Sequence, residues 1–239
     1  MPEQHSFRGY RAEVSPTGLD CYRVALGESD LYVCTLGRLE EEAAISLAAH
    51  RRELEEYLKA HVTFGTSFRP VPAAGDPPAI VVDMASAAVL YDVGPMASVA
   101  GAIAQYVGTD LLNSSGEVIV ENGGDLFLAG TGTRNVRVFA GEGAPEVNLK
   151  LRCRPDGVGL CTSSASIGPS VSLGNTEAVT VLAGTATLAD AAASAIGNRV
   201  LGPDDIPAAL EFAKGLDRVE GVLVVAGGSV GIQGELELA

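Results

Sequence analysis

The stretch Glu117-Val118-Ile119-Val120-Glu121-Asn122-Gly123-Gly124-Asp125-Leu126-Phe127-Leu128-Ala129-Gly130 decides the fold. Residues 117–121 are β-branched and apolar at their centre, and 125–128 return as a second apolar run. Asn122-Gly123-Gly124 lies between them. Asn and Gly tolerate the positive φ that a tight hairpin turn demands, so this is a hairpin signature. Two strands joined so closely must run antiparallel.

Working outward, Val136 to Phe139 and Glu146 to Cys153 read as another hairpin around Gly141 to Pro145. Near the N-terminus, Tyr10 to Val14 reads as a short strand. Cys21 to Leu26 and Leu31 to Cys34 flank the turn Gly27-Glu28-Ser29-Asp30. Ala178 to Leu182 reads as a buried strand. Val219 to Val225 and Val230 to Leu238 close the chain as a hairpin about Gly227-Gly228, and Gly157 to Thr176 reads as loop-rich.

Helices are expected between these pairs. Leu39, Ala43, Leu47, His50, Leu54, Leu58 and His61 recur at steps of three and four, which is one helical face. Arg69 to Pro78 reads as a linker loop, followed by Ala79 to Asp83 and a run of small residues, Met84 to Leu90. Gly94-Pro95 starts a helix that runs to about Leu112 and is lined by Ala97, Ser98, Ala100, Gly101, Ala102 and Ala104. A further helix begins near Thr187, and a short one spans Ile206 to Lys214.

Strand pairs separated by helices predict an α+β fold: antiparallel sheets with helices packed on one face. The βαβ alternation of a doubly wound parallel sheet is absent, as are the G-x-G-x-x-G and G-x-x-x-x-G-K-[ST] motifs. A single domain over 1–239 is expected. Its two strand–helix–strand halves, about 1–115 and 116–239, leave a diverged, T-fold-like duplication open.

Composition narrows the partners. Asp and Glu total 30 against 16 for Lys and Arg, giving a net charge of -14. That charge is spread along the chain and repels phosphate backbones and anionic membrane surfaces. Aromatic residues are 5% and Trp is absent, so base-stacking platforms are scarce. No nucleic-acid or membrane partner is expected. Met1 to Arg8 carries no basic start followed by an apolar run, which predicts a cytoplasmic protein. Cys21, Cys34, Cys153 and Cys161 form no C-x-x-C pair and are expected as reduced thiols.

Four groups of residues could carry chemistry. Asp190 and Ser194 stand four apart on a helix, one turn above the other, and a carboxylate and hydroxyl so placed suit Mg²⁺. Thr187-x-x-Asp190 also fits a capping box, and the two readings are compatible. Thr162-Ser163-Ser164 offers hydroxyls and turn amides for a phosphate or an isoalloxazine edge, or merely forms a turn. Asn122-Gly123-Gly124-Asp125 sets an acid beside backbone stripped of side chains, which suits close ligand approach as well as a hairpin. Lys150, Arg152 and Arg154 share one strand face as an anion site or a solvated surface. His50 and His61 read as hydrogen-bonded core or edge histidines rather than metal ligands.

Five segments together resemble the ApbE-like superfamily, whose best-known members are Mg²⁺-dependent FAD:protein FMN transferases, and in particular its leaderless prokaryotic branch. They are Gly27–Val33, Val93–Gly108, Glu117–Gly130, Gly159–Gly168 and Ala178–Val200, in the family's order. The resemblance implies a flavin nucleotide, FAD, as cofactor or substrate, with AMP leaving as an acceptor hydroxyl attacks. The family's A-D-A-x-A-[ST] segment matches Ala189-Asp190-Ala191-Ala192-Ala193-Ser194, implying that Asp190 and Ser194 ligate Mg²⁺. Its G-G-D lies at Gly123-Gly124-Asp125 and its T-S-[GS] at Thr162-Ser163-Ser164, and these, with Asn122, are the expected cofactor-binding residues. Departures are Ser98 in place of the transferases' Lys, Ala165 in place of a Gly, and Gly168-Pro169-Ser170 where relatives keep Gly-His-Ser. They keep an alternative open: a non-catalytic or accessory protein, with a protein partner, supporting sulfide assimilation into homocysteine.

Overall fold

The computed structural model describes residues 16–141, 143–164 and 176–239. The strand expected at Tyr10 to Val14, and the departures at Ala165 and Gly168-Pro169-Ser170, lie outside them. The chain opens with strands β1 (Asp20–Leu26) and β2 (Ser29–Thr35). Helices α1 (Glu40–Ala60), α2 (Val62–Thr66), α3 (Ala79–Tyr91) and α4 (Val99–Leu111) follow, with a 3-10 turn, Pro95–Ser98, leading into α4. Strands β3 (Val118–Asn122), β4 (Asp125–Ala129), β5 (Thr133–Val138), β6 (Val147–Arg152), β7 (Val158–Ser163) and β8 (Ala178–Ala183) come next. The chain ends with α5 (Ala186–Gly197), α6 (Ile206–Lys214), β9 (Val219–Ala226), β10 (Ser229–Gly234) and β11 (Glu237–Leu238).

Every strand pair is antiparallel. An eight-stranded sheet runs β1-β2-β3-β4-β7-β8-β9-β10, and a three-stranded sheet runs β11-β6-β5. The α+β expectation therefore stands. Along the large sheet the sequence hairpin, helices, hairpin occurs twice, once through β1–β4 and once through β7–β10.

Side-chain alternation gives the sheet two apolar faces. Val118, Val120, Phe127, Cys161, Val179 and Val181 belong to a core shared with the helices. Leu128, Leu160, Ala178 and Leu182 belong to a second core, with Leu149 and Leu151 of the small sheet. Helices thus cover one face and the small sheet the other. α1 buries Ala43, Leu47 and Leu54 of the stripe its spacing predicts, and Ser46 and Tyr57 beside it.

Two elements differ from the sequence reading for one reason: neither has a polar face to mark a period. Residues 79–91 form a full helix, α3, absent from the expected order. It buries seven residues, including Ile80, Val81, Met84, Ala87 and Ala88, yet also exposes Val82 and Val89. The first part of the expected loop at Gly157 to Thr176 is strand β7, whose Val158, Gly159, Leu160 and Cys161 are all buried. Gly159 matters here, because a Cβ on it would lie 2.3 Å from Ala186 Cα; its absence lets α5 press onto the sheet.

Two further corrections concern the chain ends. Val230 to Leu238 is not one strand. Gly234 takes a positive φ of 81°, and β11 crosses to pair with β6 in the small sheet. Cys21 and Cys34 are not reduced thiols. They sit directly opposite on β1 and β2, with Cα atoms 4.1 Å apart, and form a disulfide. Spacing alone does not reveal this pairing, because cross-strand register depends on the turn between. Cys153 and Cys161 remain free and buried.

Two of the three basic residues in and just after β6 have acidic partners. Arg154 pairs with Glu220 at 2.5 Å, and Lys150 lies 3.5 Å from Glu237. His50 Nε2 lies 2.9 Å from Asp110 Oδ2, and His61 stacks on Tyr57, as edge histidines do. Among the described residues, no single helix is long and apolar enough to cross a membrane.

Candidate functional site

The hairpin that decides the fold also builds the site. Gly123 and Gly124 have φ of 70° and 110°, so β3 and β4 join through a two-residue turn. The Gly124 amide donates to Glu121 Oε1 at 2.9 Å. Asn122 Nδ2 donates to Ala100 O at 3.1 Å, which fastens the turn to the N-terminal end of α4. Asp125 begins β4, and its side chain faces the helices.

Above it, α4 and α5 cross at close range. A Cβ on Gly101 would lie 2.4 Å from Ala186 O and 2.8 Å from Asp190 Cβ. That gap lets the Asp190 carboxylate reach α4, where its Oδ2 accepts the Gly101 amide at 2.9 Å. The Ala100 amide is also directed at it. Ser98, the residue before α4, makes no side-chain cap; its hydroxyl donates instead to Pro95 O. Asp190 therefore caps α4 from a neighbouring helix. The favour is returned: Gln105 of α4 accepts from both the amide and the hydroxyl of Thr187 in the first turn of α5.

The capping box expected at Thr187 and Asp190 is consequently not formed. Thr185 caps α5 by accepting the Leu188 amide at 3.3 Å, and Asp190 is directed away from its own helix start. Tertiary packing between α4 and α5 wins over the local motif.

Asp125 and Asp190 interact across this space, and both are buried. Burial, and then the neighbouring Asp190 charge, raises the Asp125 carboxyl well above the usual carboxylate range. Burial pushes Asp190 up to about 7, although its backbone amide donors pull the other way. The Thr162 amide donates to Asp125 Oδ1 at 3.2 Å. The Cys161 thiol lies within reach of Asp125 and 3.3 Å from Ala186 O. Burial, and then the two carboxylates, raise its pKa, so it is an inert thiol.

Asn122, Asp125, the Thr162 backbone and Asp190 thus converge. Ser194 stands one turn beyond Asp190, its Oγ 3.5 Å from Ala97 O near the start of α4. The Thr162 hydroxyl does not join them. It pairs at 2.9 Å with Thr180 Oγ1, and strand alternation puts both on the small-sheet face with Leu160 and Leu182. Ser163 faces α5, where a Cβ on Gly197 would lie 3.6 Å from its Oγ. Ser164 is buried. Gln105 and Cys161 were missed as site-building residues, while Gly101 stood among the small residues expected to line α4. Gly101 carried the one usable signal, a glycine inside an apolar helix.

The oxygens fit a hard cation better than a soft one. Burial raises the pKa of both carboxyls, and the Asp190 charge raises Asp125 further, a cost that a divalent ion would remove. Among the described residues no group of three or more His, Cys, Asp or Glu is arranged to hold a metal. Two carboxylates suit Mg²⁺, which keeps waters and needs only one or two carboxylates with substrate phosphates.

Comparison with known proteins places this architecture. The family model described as "AbpE bacteria" matches residues 12–228. A UPF0280 protein of Methanococcus maripaludis strain C6 is 40% identical over 193 residues, covering 78% of each chain. A UPF0280 protein of Methanocaldococcus jannaschii is 40% identical over 194 residues, covering 78% of this chain and 79% of its own. The apo crystal structure of the Pseudomonas stutzeri flavinyl transferase ApbE superposes with a TM-score of 0.57 at 14% identity, covering 90% of this chain and 94% of that one. The ApbE protein of Thermotoga maritima superposes with a TM-score of 0.55 at 12% identity, covering 92% and 97%. At such identities the two structures share a fold with this chain. The family-model match and the UPF0280 relatives together show that the chain belongs to the AbpE bacteria family, an ApbE-like branch.

Proposed function

We propose that the protein binds a flavin nucleotide, FAD, together with Mg²⁺, and cleaves its pyrophosphate with transfer of FMN to an acceptor hydroxyl. The observation that carries this reading is the buried Asp125–Asp190 pair at the N-terminal end of α4. The shared fold of a flavinyl transferase supports it.

Asp190 and Ser194, with Asp125 beside them, would hold the ion. Bound there, Mg²⁺ would supply charge neutralisation on a pyrophosphate. The α4 amides hold the Asp190 carboxylate in place and favour its ionised form. Gly123 and Gly124 leave the turn bare of side chains, so a ligand can approach the backbone beside Asp125 and Asn122.

Incubation with FAD and MgCl₂, followed by chromatography for AMP and FMN and by in-gel flavin fluorescence of protein acceptors, tests the reading. Release of AMP that disappears in Asp190→Asn supports it; no turnover and no Mg²⁺-dependent FAD binding rejects it. A second reading, ligand binding without catalysis, draws on Ser98. It stands where the resemblance expects the transferases' Lys, is 1% exposed, and spends its hydroxyl on Pro95 O. Mg²⁺-dependent FAD binding without AMP release would favour it.

A further inference from the structure

We propose that Cys21 and Cys34 form a reversible dithiol–disulfide couple that locks and releases the edge strand β1. Among the described residues, β1 is the end of the large sheet and pairs with β2 alone. Beyond the ladder, covalent, ionic and hydroxyl ties hold it. The disulfide joins Cys21 to its direct neighbour Cys34. Arg23 pairs with Asp30 at 2.7 Å on an exposed guanidinium. The Tyr22 hydroxyl bonds Thr35 Oγ1 at 3.0 Å and accepts the amide of Leu39, the residue that starts α1.

The disulfide is placed for exchange. Cys34 is buried, but Cys21 is only half-buried on an outermost strand, so an external thiolate can reach its sulfur. The other two thiols cannot compete. Cys153 and Cys161 are both buried, and burial raises the pKa of each, which suppresses the thiolate that would attack. The redox chemistry is therefore confined to one pair. In the forward step a small dithiol, as thiolate, attacks the Cys21 sulfur. The Cys21–Cys34 bond breaks, Cys34 leaves as thiolate and takes a proton, and the second reagent thiol resolves the mixed disulfide. The reagent ends as its own disulfide and the protein as two thiols. A low-molecular-weight disulfide such as oxidised glutathione reverses the exchange.

Release has a defined structural consequence. Tyr22 and Val24 are the β1 side chains in the helix-side core, and Tyr22 also fastens the start of α1. Without the covalent tie, opening of β1 exposes the edge of β2, whose Leu31 is paired with the site residue Asn122. The couple therefore sets how often an unpaired strand edge is presented on the strand next to the candidate site.

Native protein titrated with dithiothreitol, trapped by alkylation and mapped by mass spectrometry, tests the proposal alongside amide hydrogen exchange. The expected result is alkylation confined to Cys21 and Cys34 in folded protein. Exchange of amides 20–26 should rise on the order of tenfold or more while those of β8 and β9 stay unchanged, and oxidised glutathione should restore protection. Cys21→Ser with Cys34→Ser should show the fast β1 exchange permanently, insensitive to reductant. Reduction only on global unfolding would overturn the proposal, as would unchanged β1 exchange in the reduced protein. If the double variant does not fold, the titration of the native chain still decides.

Discussion

Asp190 Oδ2 accepts the Gly101 amide at 2.9 Å, so the carboxylate expected to hold a metal also caps a helix that is not its own. The two roles separate by substitution. Asp190→Asn keeps an acceptor for the α4 amides but removes the charge. Asp190→Ala leaves buried amides unpaired, which costs about 1–3 kcal/mol. Chemical denaturation should therefore rank the stabilities as wild type and Asn close together, with Ala lower by that amount. Mg²⁺ titration by calorimetry should find binding lost in both.

The pair also makes the metal-free protein sensitive to pH. Burial lifts the folded-state Asp190 to about 7, above the ordinary unfolded value of about 3.9. The folded state then holds a proton that the unfolded chain has released. Stability is full below the unfolded pKa and falls as pH rises toward the folded one, by up to about 1.4 kcal/mol per pH unit for one group. Denaturation midpoints in chelator between pH 4 and 7 should decline accordingly. Asp125→Asn, which removes the second carboxyl that burial holds protonated, should flatten the decline, and saturating Mg²⁺ should do the same.

Gly101 decides how close α4 and α5 can come. An added Cβ would meet the Ala186 carbonyl, which is backbone and cannot turn aside. Gly101→Ala should push the helices apart and cost about 1–3 kcal/mol, the usual penalty of overpacking. The shift also lengthens the Gly101–Asp190 hydrogen bond. Mg²⁺ affinity should fall in this variant although no proposed ligand has changed, which calorimetry would read directly.

The hairpins and α1 were legible from their turns and their single period, and β8, buried throughout, as a short apolar run. α3 and β7 were not, since residues such as Ala87 and Leu160 are enclosed on all sides and no polar face marks a period. The convergence of Asp125 with Asp190 was beyond local reading. It depends on Gly101 and Gly159 admitting α5 against both α4 and the sheet, and sequence spacing carries no such distance. The Thr187 motif misled for the same reason: Gln105, eighty-two positions away, outcompeted a local cap.

Thr162 separates what its motif suggests from what its strand permits. As part of Thr162-Ser163-Ser164 it is expected to offer a hydroxyl to a ligand. Its amide does serve the site, by donating to Asp125, but its hydroxyl is paired with Thr180 on the opposite face of the sheet. Thr162→Val keeps the amide and the volume while stranding the Thr180 hydroxyl, which is 0% exposed. Loss of one buried partner costs about 1–3 kcal/mol, whereas replacing both by apolar groups of the same shape is near neutral. Stability should therefore drop in Thr162→Val and recover in Thr162→Val with Thr180→Val, a coupling that denaturation of the double-mutant cycle measures. Mg²⁺ and FAD affinities should stay within about twofold of wild type in the double variant, because nothing on the carboxylate face has moved. Affinity falling tenfold while stability recovers would mean that the hydroxyl reaches the ligand, and that this strand turns over when the site is filled.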